Sequence, residues 1–358
     1  MDIKEIEING LRGIAEGELK NFNKLNILVG KNNTGKSTVL EAIYLGLTLP
    51  FTDILGVNPV DYILWRRGWT GLDSVSKLFY RDKRIFSINI RSIIEHAKKI
   101  TVVLEESLAR EDVTDLRSSG LDVDHAFLLS IRVMDKYKGE VRYYIDEKSR
   151  SQVISKIEEK NNIKVDILRS ALLIDWHRVL YYGIPEEIYA LMMEKGGLNS
   201  KEYVISVLSE KYRSISDIAP LKMRNNWVLY VIGKNYSLPY YSMGDGFRNA
   251  LVYLMILASA YNIILLLEEP ELHQHPGLLD ITAKAIVKSI AERKLQVFIS
   301  SHSLELIDLI AKYMEEKGLI DKLNLYRLML DNGILKSTIY SGQEVIEARR
   351  ELEYDLRG

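Results

Sequence analysis

A glycine-rich loop with one lysine and one serine is the strongest chemical signal in this sequence. Residues 30–37 read GKNNTGKS, follow the apolar run LNILV and precede a helical pattern that starts near Ser37. Gly30 and Gly35 let the backbone bend so that its N–H groups surround phosphate oxygens, and the start of a helix adds positive potential there. Lys36 would then reach the β- and γ-phosphates, and the Ser37 hydroxyl would hold Mg²⁺. The loop therefore predicts a binding site for a nucleoside triphosphate.

Two adjacent carboxylates follow an apolar strand pattern in the second half of the chain. Residues 263–269 read IILLLEE, which is typical of a buried strand that delivers acidic side chains at its carboxyl end, where parallel sheets bind ligands. Glu268 would hold Mg²⁺ through water, and Glu269 would orient or deprotonate the attacking water. The alternative is a helix start, since acidic residues are also common in a first helical turn. The phosphate loop favours the catalytic interpretation because the two parts belong to one kind of site.

Two histidines offer a competing interpretation of the same region. His273 and His275 form an H-x-H pair on the segment that follows the carboxylates. Together with Glu269 and Glu271 they could ligate a transition metal. The phosphate loop already accounts for the glutamates, so nucleotide chemistry is favoured over a resident transition metal.

A serine and two glycines form a second loop suited to an anion. Residues 242–246 read SMGDG and precede a long apolar helix. Ser242 at a helix N-cap, with an open backbone at Gly244 and Gly246, would bind an anion at the start of that helix. One triphosphate needs only the phosphate loop, so the second loop suggests contact with the nucleotide of another subunit. The alternative is that Ser242 is only a helix cap.

A histidine follows the next predicted strand. Residues 296–303 read QVFISSHS and place His302 one helix and one strand after Glu269, where it could contact the γ-phosphate from the adjoining strand. The alternative is a hydrogen-bonded structural histidine. A serine–histidine hydrolase is disfavoured because no nucleophile elbow accompanies this histidine.

These residues need a sheet that brings them together. From residue 227 onward, strand and helix patterns alternate, which predicts a parallel sheet, and residues 331–333 predict a turn between two antiparallel strands. Residues 50–150 contain alternating stretches typical of antiparallel strands, and residues 151–215 are predicted to be helical apart from the strand-like ALLID. We predict an N-terminal lobe with the phosphate loop, a mostly helical subdomain and a C-terminal lobe with the other motifs, over residues 1–150, 151–225 and 226–358.

Composition excludes several classes of protein. The chain has 358 residues, with 48 Lys and Arg against 49 Asp and Glu, and it has no cysteine. The absence of cysteine excludes disulfide frameworks, thiolate zinc sites and cysteine nucleophiles. The balanced charge argues against a nucleic-acid binder whose whole surface is basic. The absence of cysteine and the scarcity of glutamine also fit a thermophile.

One uncharged apolar run approaches the length that spans a membrane. Residues 250–267 carry no charge, but Ser259, Tyr261 and Asn262 interrupt the run. The Tyr-Asn pair is where a helix could end and a strand begin. We therefore expect no membrane span. The N-terminus has no signal-peptide pattern, so we expect a cytoplasmic protein.

The order of these motifs resembles the ABC-type ATPases of the RecF/SMC branch. The resemblance is strongest to the single-chain "AAA family" ATPases of archaea and bacteria that are related to overcoming-lysogenisation-defect (OLD) proteins. It covers about a quarter of the chain, at both ends. The matching stretches read GLRGIAEGELKNFNKLNILVGKNNTGKSTVLEAI, SMGDGFRN, LLLEEPELHQHP and VFISSHSLELI, and the final DLRG is similar to the ending of many such ATPases.

The resemblance implies a fold and a role for each matching position. The fold would be an α/β P-loop NTPase with an ABC-type core, a mixed parallel sheet flanked by helices, an antiparallel β lobe and a helical subdomain. Arg12 would lie near the nucleotide, and His302 would be the switch residue. Ser242, Gly244 and Gly246 would reach in trans to the γ-phosphate of a partner subunit. The triphosphate would be bound by Gly30, Lys31, Asn32, Asn33, Thr34, Gly35, Lys36, Ser37 and Thr38.

Departures from the family pattern narrow these expectations. The SMGDG loop replaces the LSGGQ of transporters, which argues against transport, and Glu268 replaces the more usual aspartate. Residues 303–358 are too few for the nuclease domain that OLD proteins append, so we expect an ATPase without it. No clear Q-loop glutamine is present, and Asp175 to His177 at the end of ALLID is the best position for that loop.

Together the motifs predict an ATP-binding and ATP-hydrolysing enzyme that acts as a nucleotide-driven dimerisation switch. Lys36, Glu269 and His302 would be catalytic, and Ser37 and Glu268 would be the ligands of Mg²⁺. ATP would bridge two subunits of an ATP-dependent homodimer, and a higher oligomer stays open as an alternative.

Two other functions compete with this hypothesis. One is a binding module that recruits DNA or a separate nuclease through the basic groups Arg66-Arg67, Lys98-Lys99 and Arg81 to Arg84, although a solvated face is favoured by the neutral net charge. The other is a ring-forming AAA-type ATPase, which lacks support because no arginine finger or helical lid is recognisable in the sequence.

Overall fold

Sixteen strands and eight α-helices are defined in a computed structural model, which describes residues 2–49, 51–69, 72–92, 99–107, 125–133, 137–145, 151–156, 170–350 and 354–357. The strands of these ranges are β1 (Ile3–Leu11), β2 (Ile14–Leu19), β3 (Leu25–Val29), β4 (Ile85–Ser92), β5 (Lys99–Ser107), β6 (His125–Val133), β7 (Tyr137–Ile145), β8 (Ser151–Lys156), β9 (Ala171–Ile174), β10 (Ile215–Met223), β11 (Asn226–Gly233), β12 (Ser237–Pro239), β13 (Ile264–Glu268), β14 (Gln296–Ser300), β15 (Leu323–Asp331) and β16 (Ile334–Ser341). The helices are α1 (Lys36–Thr48), α2 (Pro59–Arg66), α3 (Trp176–Leu180), α4 (Ile184–Ser209), α5 (Asp245–Ser259), α6 (Pro276–Glu292), α7 (Leu304–Glu316) and α8 (Gly342–Arg350).

The chain forms two compact units, each assembled from segments that are separate in the sequence. The first unit comprises residues 1–22, 31–172 and 328–338, and the second comprises residues 23–30, 173–327 and 339–358. The three consecutive ranges predicted from the sequence describe the order of motifs along the chain, and as domains they stay a prediction.

The first unit contains an antiparallel sheet in which β1 lies between β2 and β4, and β5 to β8 follow outward from β4. Apolar side chains face each other across this sheet: Ile6 is opposite Ile90, and Ile8 is opposite Ile88. All four are buried. Their polar neighbours point to the other face, as period-two alternation requires. The antiparallel strands predicted within residues 50–150 are therefore confirmed for β4 to β7.

The start of the predicted helical region is a strand. Residues 151–156 form β8, which pairs antiparallel with β7, whereas the sequence predicted a helix from residue 151. The prediction was wrong there because the β-branched pair Val153 and Ile154 favours a strand and an available edge of the sheet receives it. The helical prediction holds further along for α3 and α4, and α4 is interrupted at Gly197, as the Gly-Gly pair indicated.

The turn predicted at residues 331–333 connects β15 and β16. Asn332 and Gly333 have φ angles of 50° and 86°. Both values lie in the left-handed region that two-residue hairpin turns require. The predicted pair of strands around this turn is confirmed.

The second unit contains a parallel sheet with the strand order β15, β3, β14, β13 and β9. Residues of β3, β13 and β14 are almost entirely buried, which explains why these strands read as continuous apolar runs rather than alternating ones. Glu268 is in register with Ser300, and Ser300 is in register with Leu28. The carboxyl ends of β13, β14 and β3 therefore lie side by side at one edge of the sheet.

The uncharged run 250–267 is divided between two elements. Helix α5 ends at Ser259, Asn262 adopts a φ of 54°, and β13 begins at Ile264. The expected change from helix to strand at the Tyr-Asn pair is confirmed. Among the helices that the structure describes, none is long and apolar enough to cross a membrane.

Candidate functional site

Three of the predicted chemical motifs begin where a strand of the parallel sheet ends. Gly30 follows β3, Glu268 is the last residue of β13, and His302 lies two residues beyond β14. Strand β14 is hydrogen-bonded to both β3 and β13. The expectation that His302 emerges on the strand adjoining the acidic pair is confirmed, since the carboxyl ends of parallel strands share one edge where ligands bind.

The phosphate loop bends through three residues with positive φ. These are Gly30 at 144°, Asn33 at 63° and Gly35 at 93°. Glycine meets this requirement at two of the three positions without steric cost, and asparagine tolerates it better than most residues. The loop then leads into α1, which begins at Lys36 as the sequence predicted within one residue.

The side chain of Lys36 folds back across the loop. Its Nζ donates a hydrogen bond to the carbonyl oxygen of Lys31 at 2.8 Å, and the Thr34 hydroxyl donates to the same oxygen at 2.9 Å. Lys36 is 6 % exposed, whereas Lys31, Asn32 and Asn33 are exposed. The ammonium group is thus enclosed by a loop of which residues 31–33 are exposed to solvent.

A buried carboxylate on α1 is surrounded by three arginines. Glu41 forms an ion pair with Arg12, accepts hydrogen bonds from Arg67 Nε at 3.1 Å and Nη2 at 2.8 Å, and lies 3.7 Å from Arg66 Nε. Burial opposes its ionisation, but the charges of the three arginines outweigh burial and hold the pKa of Glu41 below its ordinary value. One carboxylate and three guanidinium groups leave this cluster with an excess of positive charge.

This cluster changes the interpretation of Arg66 and Arg67 and fixes the position of Arg12. Arg66 and Arg67 were assigned to a basic surface, but Arg66 is buried and both pair with Glu41, so they do not form a free patch. Arg12 has a φ of 50° and places its guanidinium 5.6 Å from the centre of the Trp69 ring. Arg12 is therefore fixed beside the first turns of the helix that follows the phosphate loop. Among the other basic residues, Lys98 lies outside the described residues.

The acidic pair lies at the end of β13, and its second member, Glu269, is in a strained turn just beyond the strand. The Glu269 N–H donates to the Ser300 carbonyl oxygen at 2.9 Å, and Glu269 itself has a φ of 45°. Its Oε1 lies 3.6 Å from His302 Nε2. Both side chains are about one-third exposed, at 33 % and 36 %. Left-handed backbone at a residue other than glycine is uncommon and is concentrated at functional positions.

Glu271 was not assigned a role in nucleotide chemistry from the sequence, yet it holds the histidine loop. Its Oε1 accepts hydrogen bonds from the Ser301 hydroxyl and from the His302 N–H, both at 2.8 Å. Burial, opposed by these hydrogen bonds and aided by the charge of Glu269, raises the pKa of Glu271 above its ordinary value. The sequence showed only its place two residues after Glu269 and could not reveal a partner on another strand.

The competing transition-metal interpretation receives no support from the described residues. His273 packs its ring 4.6 Å from that of Trp176, and His275 Nδ1 accepts a hydrogen bond from Gly277 N at the start of α6. Within the ranges that the structure describes, no three His, Cys, Asp or Glu residues form a group that could hold a metal ion.

The SMGDG loop differs from the sequence prediction in one respect. Helix α5 begins at Asp245 with Gly244 as its N-cap, and no side chain caps it. Ser242 instead ends a short 3₁₀ turn, Tyr240–Ser242, and is exposed. The predicted N-cap role of Ser242 is wrong because the helix starts three residues after it. The alternative that Ser242 is only a helix cap is therefore also wrong.

The two glycines of the SMGDG loop have different surroundings. A Cβ atom at Gly246 would lie far inside van der Waals contact with the His273 carbonyl oxygen, so this glycine allows a close backbone approach. A Cβ atom at Gly244 would meet no heavy atom within 4 Å. Gly244 has a φ of −63° and needs no glycine for its conformation, so local packing accounts for Gly246 and not for Gly244.

The position proposed for the Q-loop caps a short helix. Asp175 accepts a hydrogen bond from Arg178 N at 3.1 Å as the N-cap of α3, and lies 3.6 Å from His177 Nδ1. It follows β9 at the carboxyl edge of the parallel sheet. Its role toward a nucleotide stays a prediction.

Comparison with known proteins identifies relatives over the whole chain. The family model described as an AAA ATPase domain matches residues 1–176 and 131–307. An ATP/GTP phosphatase of Helicobacter pylori is 22 % identical over 378 residues, which cover 99 % of this chain and 100 % of the relative. The DNA replication and repair protein RecF of Geobacter metallireducens is 37 % identical over 84 residues, which cover 22 % of each chain.

A solved structure shows the same fold. The crystal structure of an Smc head bound to the C-winged helix domain of ScpA matches with a TM-score of 0.51 and 14 % identity, and covers 95 % of this chain and 98 % of that chain. At this identity the likeness establishes the fold alone. It confirms the predicted α/β P-loop fold with an ABC-type core of the RecF/SMC kind.

Proposed function

This chain belongs to the AAA ATPase domain family, and we propose that it binds and hydrolyses ATP as a switch between separate and paired subunits. The observation that carries the pairing is the exposed Ser242 beside an open Gly244, in a loop whose side chains do not cap α5 and whose packing does not need both glycines. The ATPase domain accounts for one nucleotide per chain, and this second loop is left for the nucleotide of a partner.

The phosphate loop supplies the groups that bind the triphosphate. Gly30 to Thr38 present backbone N–H groups and the start of α1, and Lys36 exchanges its bond to the Lys31 carbonyl for phosphate oxygens when ATP binds. Arg12, fixed by Glu41, adds positive charge beside the same helix. The excess charge of the arginine cluster favours a polyanionic ligand.

Magnesium fits the donor atoms at these positions. The Ser37 hydroxyl in the first turn of α1 and the Glu268 carboxylate at the end of β13 are hard oxygen donors, the ligands that Mg²⁺ prefers. When bound, Mg²⁺ neutralises charge on the phosphate oxygens. Ser37 and Glu268 would hold the Mg²⁺ ion, and other residues would activate the attacking water.

Glu269 and His302 are suited to the hydrolytic step. Glu269 orients the attacking water and accepts its proton, because its carboxylate is partly exposed at the edge where the parallel strands end. His302 lies beside this carboxylate and contacts the γ-phosphate, so that loss of the phosphate changes its surroundings. That change releases the partner subunit.

Substitution of Ser242 by arginine tests the pairing model. A bulky cation at an exposed position leaves each subunit folded but blocks the approach of a second phosphate loop, so we expect Ser242→Arg to abolish ATP-dependent assembly and to lower hydrolysis strongly. The matched control is Ser206→Arg, at an exposed serine of α4 in the same unit. Hydrolysis and assembly that are unchanged in Ser242→Arg would refute the bridging model.

A further inference from the structure

The backbone of His302 is held at both of its polar groups by charged side chains. Its N–H donates to Glu271 Oε1 at 2.8 Å, and its carbonyl oxygen accepts a hydrogen bond from Arg357 Nη1 at 3.0 Å. The two partners are 31 and 55 residues away in the sequence. A residue fixed at both its N–H and its C=O has little freedom to rotate, so the direction of the imidazole toward Glu269 depends on both anchors.

Arg357 is oriented for this contact by a neighbouring carboxylate. Its Nε donates to Asp355 Oδ1 at 2.9 Å and its Nη2 donates to Asp355 Oδ2 at 2.8 Å. This two-pronged pairing fixes the plane of the guanidinium and leaves Nη1 to reach the His302 carbonyl. Hydrogen bonds from Arg357 also lower the pKa of Asp355 to about 2, so the pair stays charged across the neutral range.

The segment that carries this pair, Tyr354–Arg357, is itself anchored. Leu356 is fully buried between the two charged residues. Arg349 donates to the Tyr354 carbonyl oxygen at 3.0 Å and forms two bonds of 2.8 Å to Asp308. Asp308 lies on α7, the helix that begins two residues after His302. The segment that carries Arg357 is therefore held to α7 and α8 by further hydrogen bonds, which support the contact between Arg357 and His302.

We propose that Arg357 is a positioning residue for ATP hydrolysis, which holds the His302 backbone so that the imidazole is directed at Glu269. The inference rests on the proposed role of His302 and adds a residue from a distant part of the chain to the same step. Arg357 acts through His302, with Asp355 as the group that orients it. The segment Tyr354–Arg357 then links the catalytic histidine to α7 and α8.

The expected effect is on catalysis more than on folding. The Arg357 side chain is 38 % exposed and His302 is half-buried, so water can replace the lost donor. Water restores a hydrogen bond but not the fixed direction of the peptide. A misplaced catalytic group costs as much as about 100-fold in rate, so we expect kcat of Arg357→Gln to fall by about 10- to 100-fold. The KM for ATP should change by less than about threefold, since the triphosphate is bound elsewhere.

The experiment measures steady-state ATP hydrolysis by the full chain in three variants. Arg357→Gln removes the contact, and Asp355→Asn weakens only its orientation, so Asp355→Asn should show a smaller loss of kcat in the same direction. Arg327→Gln is the matched control, because Arg327 bonds the Tyr354 hydroxyl at 2.9 Å and belongs to the same surroundings. We expect the control to keep the kcat of the unmodified chain. Thermal unfolding of each variant excludes a loss of folded protein.

A double-mutant cycle separates this inference from the function on which it rests. If Arg357 acts through His302, then Arg357→Gln lowers kcat in the unmodified chain but adds no further loss to His302→Ala. A full additional loss on top of His302→Ala, or an unchanged kcat in Arg357→Gln alone, overturns the positioning role. An unchanged kcat in His302→Ala overturns the proposed function of His302 itself, and the inference with it.

Discussion

Glu41 is the residue on which the arginine cluster of the first unit depends. It is fully buried and forms ion pairs with Arg12, Arg66 and Arg67. Removing one partner of a buried ionic group leaves the others uncompensated and destabilises a protein by about 3–5 kcal/mol. We expect Glu41→Ala to reduce the free energy of unfolding by this amount in chemical denaturation.

The control for this prediction is an exposed glutamate in an ordinary surface pair. Glu316 is 54 % exposed and lies 4.0 Å from Lys312. Such pairs contribute about 0–1 kcal/mol, so Glu316→Ala should change stability little. A loss in Glu41→Ala no larger than in the control would contradict the structural role assigned to the cluster.

Glu271 gives a prediction about pH. Its pKa is raised in the folded protein, so the fold binds a proton at this carboxyl more tightly than the unfolded chain does. By linkage, this carboxyl lowers the free energy of unfolding as the pH rises from the ordinary pKa of the group, 4.5, to its raised pKa in the folded protein. Glu271→Gln keeps an acceptor oxygen for Ser301 and His302, but its side-chain amide does not titrate.

We therefore expect the unmodified chain to lose stability relative to Glu271→Gln as the pH rises above 4.5, the ordinary pKa of this carboxyl. Glu271→Ala, which leaves two donors without this acceptor, should be less stable than either by about 1–3 kcal/mol. The measurement is urea denaturation of the three proteins over a pH series that begins at 4.5 and rises to neutral. A stability difference between the unmodified chain and Glu271→Gln that does not change with pH would show that Glu271 does not titrate as inferred.

The residues to which the sequence assigns a role share one property. Lys36, Ser37 and Glu269 belong to short local patterns that next to a strand or helix already specify their chemistry. Glu271 and Arg357 could not be assigned in this way, because their partners lie far away in the sequence and are brought close only by the sheet. Charged residues without a local pattern are ordinary in any sequence, so their meaning depends on tertiary contacts.

The same difference between local patterns and tertiary contacts applies to the strands and helices. Short apolar runs correctly predicted β3, β13 and β14, since parallel strands are buried on both faces. The prediction of a helix at residue 151 was wrong, because β8 is short and takes its conformation from pairing with β7. The N-cap of α5 was misplaced by two residues, at Ser242 instead of Gly244, because serine and glycine are both acceptable helix caps and the sequence does not distinguish them.

The start of α5 supplies a matched pair of glycine substitutions. Gly246→Ala places a methyl group against the His273 backbone, so we expect it to destabilise the second unit by about 1–3 kcal/mol. Gly244→Ala meets open space and should cost less than about 1 kcal/mol. If the SMGDG loop approaches a partner's nucleotide, Gly244→Ala nevertheless weakens ATP-dependent assembly. Thermal unfolding together with solution mass separates the two effects, and equal destabilisation by both substitutions would contradict the packing described.

At the scale of the whole molecule, the fold and the family are established, and the pairing of subunits is the claim that most needs a test. An ABC-type core with a phosphate loop, a second anion loop and an acidic strand is a consistent set of parts for a nucleotide bound between two copies. The recruitment of DNA through Arg66 and Arg67 has lost its motivation, because both residues are paired with Glu41. The sequence could not decide this point, since buried and exposed arginines look alike in it.

The most direct test is the solution mass of Glu269→Gln with and without Mg-ATP. The substitution removes the proposed base but keeps the shape of the side chain, so any ATP-bound assembly should accumulate. We predict a shift from one subunit to two on addition of Mg-ATP, and no shift when Lys36→Ala is added to the same variant. A mass that stays that of a single subunit with Mg-ATP, or one that grows to a larger ring, would contradict the pairing of two subunits across their nucleotides.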